Sequence, residues 1–488
     1  MESNHIRRNF AYQTVYRVVI VLTPLITTPI LSRALGAEKL GVFSATLAFV
    51  SYFQLFSLLG VENYGTRRIA ATQGDRKLQQ QVFWNVYAIQ FTTSVIAIVA
   101  YAVACFLLPA ERRVISALQG VWLIGSLLNV NWFFFGTEQF RLTVTRNIIV
   151  KMISLLLIVF FVRQPDDLFL YVLIVAGDTM VSNAVLWPFL KRNISFERPR
   201  FCLMREHIAP LIVLFIPVLA MSVFHVMDKS MLDWLSTETQ VGYYYTADKI
   251  IGIPLSIITG FGTVMLPRVS NEYSKGNTPR VQSMMKNSTE VTTFIACALG
   301  FGIASIAKIF IPWFFGAGFE PCIKLVYVFI PVFLIKSIGS LVRSQYMIPS
   351  KMDWQFTASV CFGAITNLIF NLVLIRKYQA LGAVYGTLAA EFVVSLAQIL
   401  FTRKRIPFFR YVAEQWPYYL FGIIMLLVVT TLERILTVPL VFKLLCEITA
   451  GAFVYLALCV VYWFINKNSY FGGNGGMNKL KALLHLRG

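Results

Sequence analysis

Four basic side chains, Arg17, Lys229, Lys249 and Lys336, and four acidic ones, Asp178, Asp228, Asp248 and Glu391, stand inside stretches that are otherwise apolar. An ionisable group near a bilayer centre costs at least about 2.5 kcal/mol to insert, so each needs a partner or a water-filled cavity. In such a cavity a guanidinium or an ammonium suits phosphate, the first as a planar fork and the second as a point charge. A carboxylate suits a proton or Na+, whose passage across 100 mV is worth about 2.3 kcal/mol. These residue types therefore point to holding a phosphorylated amphiphile, with H+ or Na+ as coupling ion. A purely structural reading stays open beside it. Asp228 and Lys229, and Asp248 and Lys249, each lie about ten residues from the turn near Glu238, at matching depth on adjacent antiparallel helices, where crossed salt bridges would satisfy them. Arg17, about 10 Å in from the start of its helix by rise per residue, can snorkel to the interface or pair with Asp178.

Neutral polar residues repeat the pattern. Gln13, Arg17, Pro24 and Thr28 share one helical face. Gln119, Trp122, Ser126 and Asn129 share another, with Trp132 just beyond, and Gly363, Asn367 and Asn371 recur at four-residue spacing. Gln13, Asn129, Trp132, Asn367 and Asn371 are candidates for lining a cavity. Amides in membrane helices also hydrogen-bond between helices, and that packing role competes with lining.

The elements that must position these residues are set by composition. The chain has 488 residues, 57% hydrophobic and 14% charged, where soluble domains carry about 25% charge. Apolar runs of about 20 residues, each able to cross a hydrocarbon core about 30 Å thick, recur from residue 10 to residue 465 and number about fourteen. The longest gap, Lys191 to His207, is too short to bury a core of its own. The expected fold is an all-α membrane protein. The opening MESNHIRRNF is expected to be retained, because no small-residue cleavage site follows a short apolar core.

Charge orders the spans. Arg67 and Arg68, Lys191 to Arg205, Arg268 to Lys286, and Arg403 to Arg405 fall on one side, whereas Ser236 to Val241 has no basic residue. The positive-inside rule puts the clusters and both termini in the cytoplasm. Lys479, Lys481 and Arg487 in the tail either meet acidic lipid or bind nothing. The net charge of +20 is spread over many loops, which argues against nucleic acid as a partner. Seven cysteines without CxxC spacing give no metal or disulfide framework. His5, His207, His225 and His485 are scattered, and no GxSxG or GxxxxGK occurs. An enzyme such as a membrane glycosyltransferase or polysaccharide polymerase would be expected to present a sizeable external loop, and the external loops are short.

Leu35 to Phe43 echoes Leu235 to Tyr244, so Gly41 corresponds to Gly242 and, at the same offset, Arg67 to Arg268. Two parallel six-helix halves related by an axis along the membrane normal are expected. Pro24, Pro29, Pro217 and Pro254 fall inside helices, where each removes a backbone donor and favours a kink.

Six segments together resemble the Wzx-type oligosaccharide flippases of the MOP (MATE-like) superfamily: LSRALGAEKLGVFS at Leu31 to Ser44, NWFFFGTEQF at Asn131 to Phe140 with the following TRNIIVK, MDKSML at Met227 to Leu232, VGYYYTADKI at Val241 to Ile250, LPRVS from Leu266, and NLIFNLVLI with QALGAVYGTLAAE at Asn367 to Glu391. Phe135 departs from the family, where glutamine is frequent, so no polar contact is assigned there. The resemblance implies an N-lobe over 1–200 (helices one to six), a C-lobe over 201–410 (helices seven to twelve), two further helices over 411–466, and a cytoplasmic tail over 467–488. It implies flipping of an undecaprenyl-diphosphate-linked repeat unit across a bacterial inner membrane for capsule, O-antigen or exopolysaccharide, with a polysaccharide polymerase and a chain-length regulator as partners and no cofactor beyond a coupling ion. Arg17, Lys229, Lys249 and Lys336 would hold the diphosphate. Lipid II and multidrug export are the alternatives within the superfamily.

Overall fold

The computed structural model describes residues Glu2 to Asn466, and side chains throughout that range except for residues 2–18, Val21 and Phe201. The tail expected over 467–488 lies outside the described residues.

The described residues form helices joined by short connections, with no strand among them. Thirteen helical stretches are long and apolar enough to cross a membrane. The first helix, α1 (Glu2–Leu58), is broken at Gly36, whose φ of 72° and ψ of 175° lie outside helical geometry. Its arms, 2–35 and 37–58, are each long enough to span, which accounts for the difference from the fourteen spans expected. Pro24 and Pro29 sit in the first arm, where hydroxyls serve backbone carbonyls locally: Thr23 donates to Val19 and Thr27 to Thr23.

The chain divides into two compact units, 1–245 and 246–488. In the first, α2 (Val61–Ala70) follows a left-handed turn at Leu59 and Gly60 (φ 41° and 72°). Next come α3 (Arg76–Leu107), α4 (Ala110–Leu127), α5 (Asn131–Gly136), α6 (Phe140–Phe161), α7 (Leu168–Ala184), α8 (Leu186–Asn193) and α9 (Phe201–Leu235). α10 (Glu238–Ser274) crosses from this unit into the second, which continues with α11 (Thr278–Phe315), α12 (Pro321–Val342), α13 (Asp353–Tyr378), α14 (Ala380–Thr402), α15 (Phe408–Ala413), α16 (Trp416–Ile435) and α17 (Leu440–Ile465).

The apolar stretch 114–136, which reads in sequence as one continuous span, is interrupted between α4 and α5. Asn129 explains the break: its Oδ1 accepts from the Asn131 backbone N at 3.0 Å, a local turn that competes with helix. The interruption turns Trp132, Phe133 and Phe134 into a core with Phe83, Leu186 and Leu211. Trp132 stacks on Phe83 with ring centroids 5.1 Å apart, and Gly65 of α2 lies beneath the indole where a side chain would collide with it. α2 is thereby clamped by its buried stripe Val61, Gly65 and Ile69.

The repeated segments meet one another. A methyl group on Gly41 would run into the Glu238 carbonyl, and one on Gly242 into the Ala37 carbonyl. Glycine at 41 faces residue 238 while glycine at 242 faces residue 37, and the same register relates 37 to 238 as 41 to 242. The contact is therefore locally two-fold: two helix starts cross backbone to backbone because neither carries a Cβ at the crossing.

In the second unit α13 and α14 form a tight hairpin, turned at Gln379 (φ 53°). Gly363 faces Val394, Gly382 the Leu374 backbone, and Gly386 the Asn371 amide, each with no room for a Cβ. α16 and α17 pack on α11 around Cys297, Tyr418, Met425, Val429, Tyr455 and Cys459.

Candidate functional site

Two polar constellations are built within the first unit, and both sit where helices begin, end or break. The larger starts at the α4–α5 interruption. Gln90 of α3, fully buried, donates from Nε2 to the Asn129 carbonyl at 2.8 Å and accepts from Trp132 Nε1 at 3.0 Å. The Asn129 amide donates to Glu62 Oε1 of α2 at 2.7 Å. Its carbonyl oxygen accepts from Asn131 Nδ2 at 2.8 Å, and Asn131 donates on to Asn183 Oδ1 of α7 at 2.9 Å. Arg146 of α6, only 6% exposed, donates to Asn131 Oδ1 at 3.0 Å, to the Ser182 carbonyl and to Asn147 Oδ1. One turn further along the same helix pair, Lys151 Nζ meets Asp178 Oδ2 at 2.9 Å.

Within membrane-length helices a guanidinium, a carboxylate and five amides form one hydrogen-bonded run from Glu62 to Arg146, and the Lys151 and Asp178 pair extends the belt one turn beyond it. Its buried end at Gln90 and Trp132 fixes it, and its other end reaches accessible groups: Glu62 is exposed, and Asn131, Lys151 and Asp178 are half-buried. Hydrogen bonding of this density is what lets charges stand at such depth, since unpaired polar groups each cost several kcal/mol in hydrocarbon. The belt has donors for an anion, and its carboxylates are already oriented by partners.

The smaller constellation lies at the crossing of the repeats. Arg112, at the start of α4, forks between two acids: Nη1 meets Asp233 Oδ2 of α9 at 2.7 Å and Nη2 meets Glu238 Oε1 of α10 at 2.8 Å. Nε adds a bond to Glu238 at 2.9 Å. A two-acid fork is a geometry that only arginine supplies. It ties α4 to the ends of α9 and α10 beside the Gly41 and Gly242 crossing.

The residues singled out by sequence are distributed between these and other places. Gln13 and Arg17 have side chains outside the described residues. Asp178 pairs with Lys151 of α6 at 2.9 Å, beside the belt. Asn129 is at the belt's centre, and Trp132 is its buried anchor. Asp228, 4% exposed, accepts from Tyr244 Oη at 2.6 Å. Lys229 Nζ lies 5.7 Å from the centroid of the Tyr245 ring. Asp248 and Lys249 are half-buried on α10. Lys336 and Glu391 come together in the second unit, Nζ to Oε1 at 2.9 Å. Asn367 and Asn371 are fully buried, with Asn371 Nδ2 donating to Asn367 Oδ1 at 3.1 Å.

Sequence reasoning passed over Glu62, Arg112, Arg146 and Lys151. Arg146 and Lys151 lie in the TRNIIVK stretch read only as a motif, and a search for a base at the depth of Asp178 on the preceding helix would have found Lys151. Arg112 carried no such signal, because its acids are more than a hundred residues away. Also unanticipated was Glu290 of α11, which accepts from Tyr418 Oη at 2.8 Å while Trp463 Nε1 donates to the same hydroxyl at 2.8 Å. Among the described residues no group of three or more His, Cys, Asp or Glu is arranged to hold a metal.

Comparison with known proteins places this architecture. The family model described as "Polysaccharide biosynthesis protein" matches residues 6–272. A protein of Escherichia coli (strain K12) described as an O-antigen transporter is 22% identical over 406 residues, 82% of this chain and 97% of that protein. A lipid II flippase MurJ of Bacillus subtilis (strain 168) is 22% identical over 151 residues, 30% of this chain and 27% of that protein. In structure, an inward closed lipid II flippase MurJ superposes with a TM-score of 0.71 at 12% identity, covering 93% of this chain and 98% of that one. An inward-facing multidrug resistance MATE family transporter of the MOP superfamily gives 0.61 at 16% identity, covering 81% and 98%. These likenesses establish the MATE-like fold.

Proposed function

This chain belongs to the polysaccharide biosynthesis protein family, and from that premise we propose that it is a multi-pass membrane flippase for lipid-linked oligosaccharide. The substrate in this reading is an undecaprenyl-diphosphate-linked repeat unit, moved from the cytoplasmic to the outer leaflet of a bacterial inner membrane by alternating access of the two lobes, 1–200 and 201–410. Both termini are cytoplasmic, and the polymerase and chain-length regulator act on the exported unit.

The observation that carries this reading is the belt from Glu62 through Asn129, Asn131 and Arg146 to Lys151 and Asp178. A diphosphate and several sugars cross hydrocarbon only if protein donors and acceptors replace their water. Arg146 and Lys151 supply charge and the asparagines supply sugar-compatible hydrogen bonds. Arg17, Lys229, Lys249 and Lys336 are proposed to share the diphosphate during transit. Asp178, Asp228, Asp248 and Glu391 are the candidates for H+ or Na+ coupling, each a carboxylate on a membrane-spanning helix. The Arg112 fork with Asp233 and Glu238 would fasten one end of the helices while the other is open, and would part as the lobes exchange orientation.

The test is complementation. Expressed in cells lacking their own repeat-unit flippase, the chain is expected to restore surface polysaccharide and clear the accumulated lipid-linked intermediate. Arg146→Gln is expected to lose most of that restoration at unchanged protein level. Rescue of lipid II export instead would move the substrate to peptidoglycan precursors, and cation efflux without either rescue would move it to multidrug export.

A further inference from the structure

Apart from the belt, the first unit has an open cavity of about 570 Å³ between α2 and α9. Its walls are unlike. One is Tyr64, Arg67, Arg68 and Ala71, and the other is Ala209, Pro210, Val213 and Leu214. Arg67 and Arg68 are exposed, and neither has a carboxylate within ion-pairing distance among the described residues, the nearby Glu206 included. Along α9 the apolar wall continues as an exposed strip through Ile212, Val213 and Ile216, at 45%, 65% and 49%.

The cavity is preformed. Gly60, with φ of 72°, brings the start of α2 to within 3.3 Å of the Leu211 carbonyl of α9, measured from where a Cβ would lie. Tyr64 Oη and His207 Nδ1 are hydrogen-bonded at 2.6 Å, and their rings meet edge to face. Gln73 Nε2 donates to the Gly136 carbonyl at 2.9 Å and holds the segment after α2 against α5. With Val61, Gly65 and Ile69 buried, the α2 backbone is fixed with Arg67 and Arg68 at the cavity wall. The basic pair does complement the C-terminal dipole of α2, but a dipole does not require a cavity beside it, nor an apolar strip leading from it.

We propose that this cavity binds the diphosphate head of a polyprenyl lipid, with the chain laid along the exposed strip of α9. Two adjacent guanidinium groups match the two phosphates of a diphosphate, each able to take a bidentate hold on oxygen. The exposed apolar side chains of α9 beside the arginines, Ile212, Val213 and Ile216, give the lipid chain a surface to follow away from the charged head. An amphipathic helix lying at a bilayer boundary puts the charges at headgroup level and the strip among the tails. The cavity would then collect the lipid-linked substrate from the leaflet before it reaches the belt. This placement rests on the flippase reading.

The test is a binding measurement on the purified full chain in nanodiscs of phosphatidylcholine, titrated with undecaprenyl diphosphate carrying no sugar. The wild type is expected to bind it more tightly than undecaprenyl monophosphate or phosphatidylglycerol. Arg67→Gln with Arg68→Gln is expected to weaken binding at least about tenfold, or about 1.4 kcal/mol, and raised salt to weaken the wild type but not the variant. Val213→Trp, which leaves the charge intact and fills the strip, is expected to weaken the long-chain lipid more than farnesyl diphosphate. Retention of Arg146→Gln binding at the wild-type level would show the cavity acting apart from the belt. Equal affinity in the double glutamine variant with unchanged thermal unfolding would overturn the proposal, as would phosphatidylglycerol competing as well as the diphosphate. Because the ligand has no sugar and no transport is measured, diphosphate binding with failed polysaccharide rescue would sink the flippase reading alone. Rescue with no loss of binding in the double variant would sink this site alone.

Discussion

The α6–α7 pair of the first unit and the α13–α14 pair of the second are both antiparallel helices carrying amides and an acid, yet they use them oppositely. On α13, Asn367 and Asn371 are fully buried and bond to each other. On α6 and α7, Arg146 and Asn183 bond outward through Asn131, and Lys151 and Asp178 pair one turn further on at accessible positions. The difference lies in the glycines. Gly363, Gly382 and Gly386 let α13 and α14 approach until no Cβ would fit, whereas Gly177 of α7, one residue before Asp178, has open space where its Cβ would be. Close approach consumes an amide as packing, and an open face leaves the polar groups available. A polar stripe in a membrane helix is therefore read correctly only with the residue size on the facing helix.

The largest effect that would break this comparison is at Gly386. Gly386→Leu puts a side chain into the Asn371 amide and is expected to cost about 3 kcal/mol or more by overpacking, seen as loss of the monodisperse peak in detergent. Gly177→Ala, the matched change on the open face, is expected to leave the unfolding temperature within the spread of repeat measurements. Equal damage at the two glycines would refute the distinction.

Next in size is the Lys336 and Glu391 pair, in which Glu391 is nearly buried. Breaking such a pair from one side leaves an uncompensated charge, worth about 3 kcal/mol, while removing both partners together costs far less. Glu391→Gln and Lys336→Met are each expected to destabilise, and the double variant to recover most of the loss. Lys151 and Asp178, whose lysine is 39% exposed, should show the same cycle with a smaller coupling, below about 1 kcal/mol. Transport, by contrast, should suffer more from Asp178→Asn than from Glu391→Gln if the belt carries the substrate.

The smallest change in stability is expected at Arg112. Its two partly exposed pairs are worth about 1 kcal/mol together, so Arg112→Gln should barely move the unfolding temperature. Cysteines introduced at Arg112 and Glu238 and bridged by a cleavable bifunctional maleimide, whose length replaces that of the two side chains, are expected to abolish flipping until the bridge is cleaved. Flipping at full rate with the cross-link formed would mean that these helix ends never separate.

The glycine signals were partly legible in sequence. Gly41 and Gly242 were visible as equivalents, but that each faces the other's repeat at residues 238 and 37 required the fold. Proline positions gave kink-prone helices without showing which hydroxyls compensate. The interruption at Asn129 was hidden because its apolar flanks read as one continuous span, and a single asparagine turning back on its own backbone leaves no mark in hydropathy.

What the sequence determined by itself is the solvent and the element: long apolar runs oblige the backbone to satisfy its own hydrogen bonds, and in hydrocarbon a helix does that within one segment. It also determined the repeat, since equivalent residues recur at fixed offset. The tertiary structure decided which charges meet, because ion pairs such as Arg112 with Asp233 and Glu238 depend on the crossing of helices far apart in the chain, and side chains report their depth in sequence but not the direction they face.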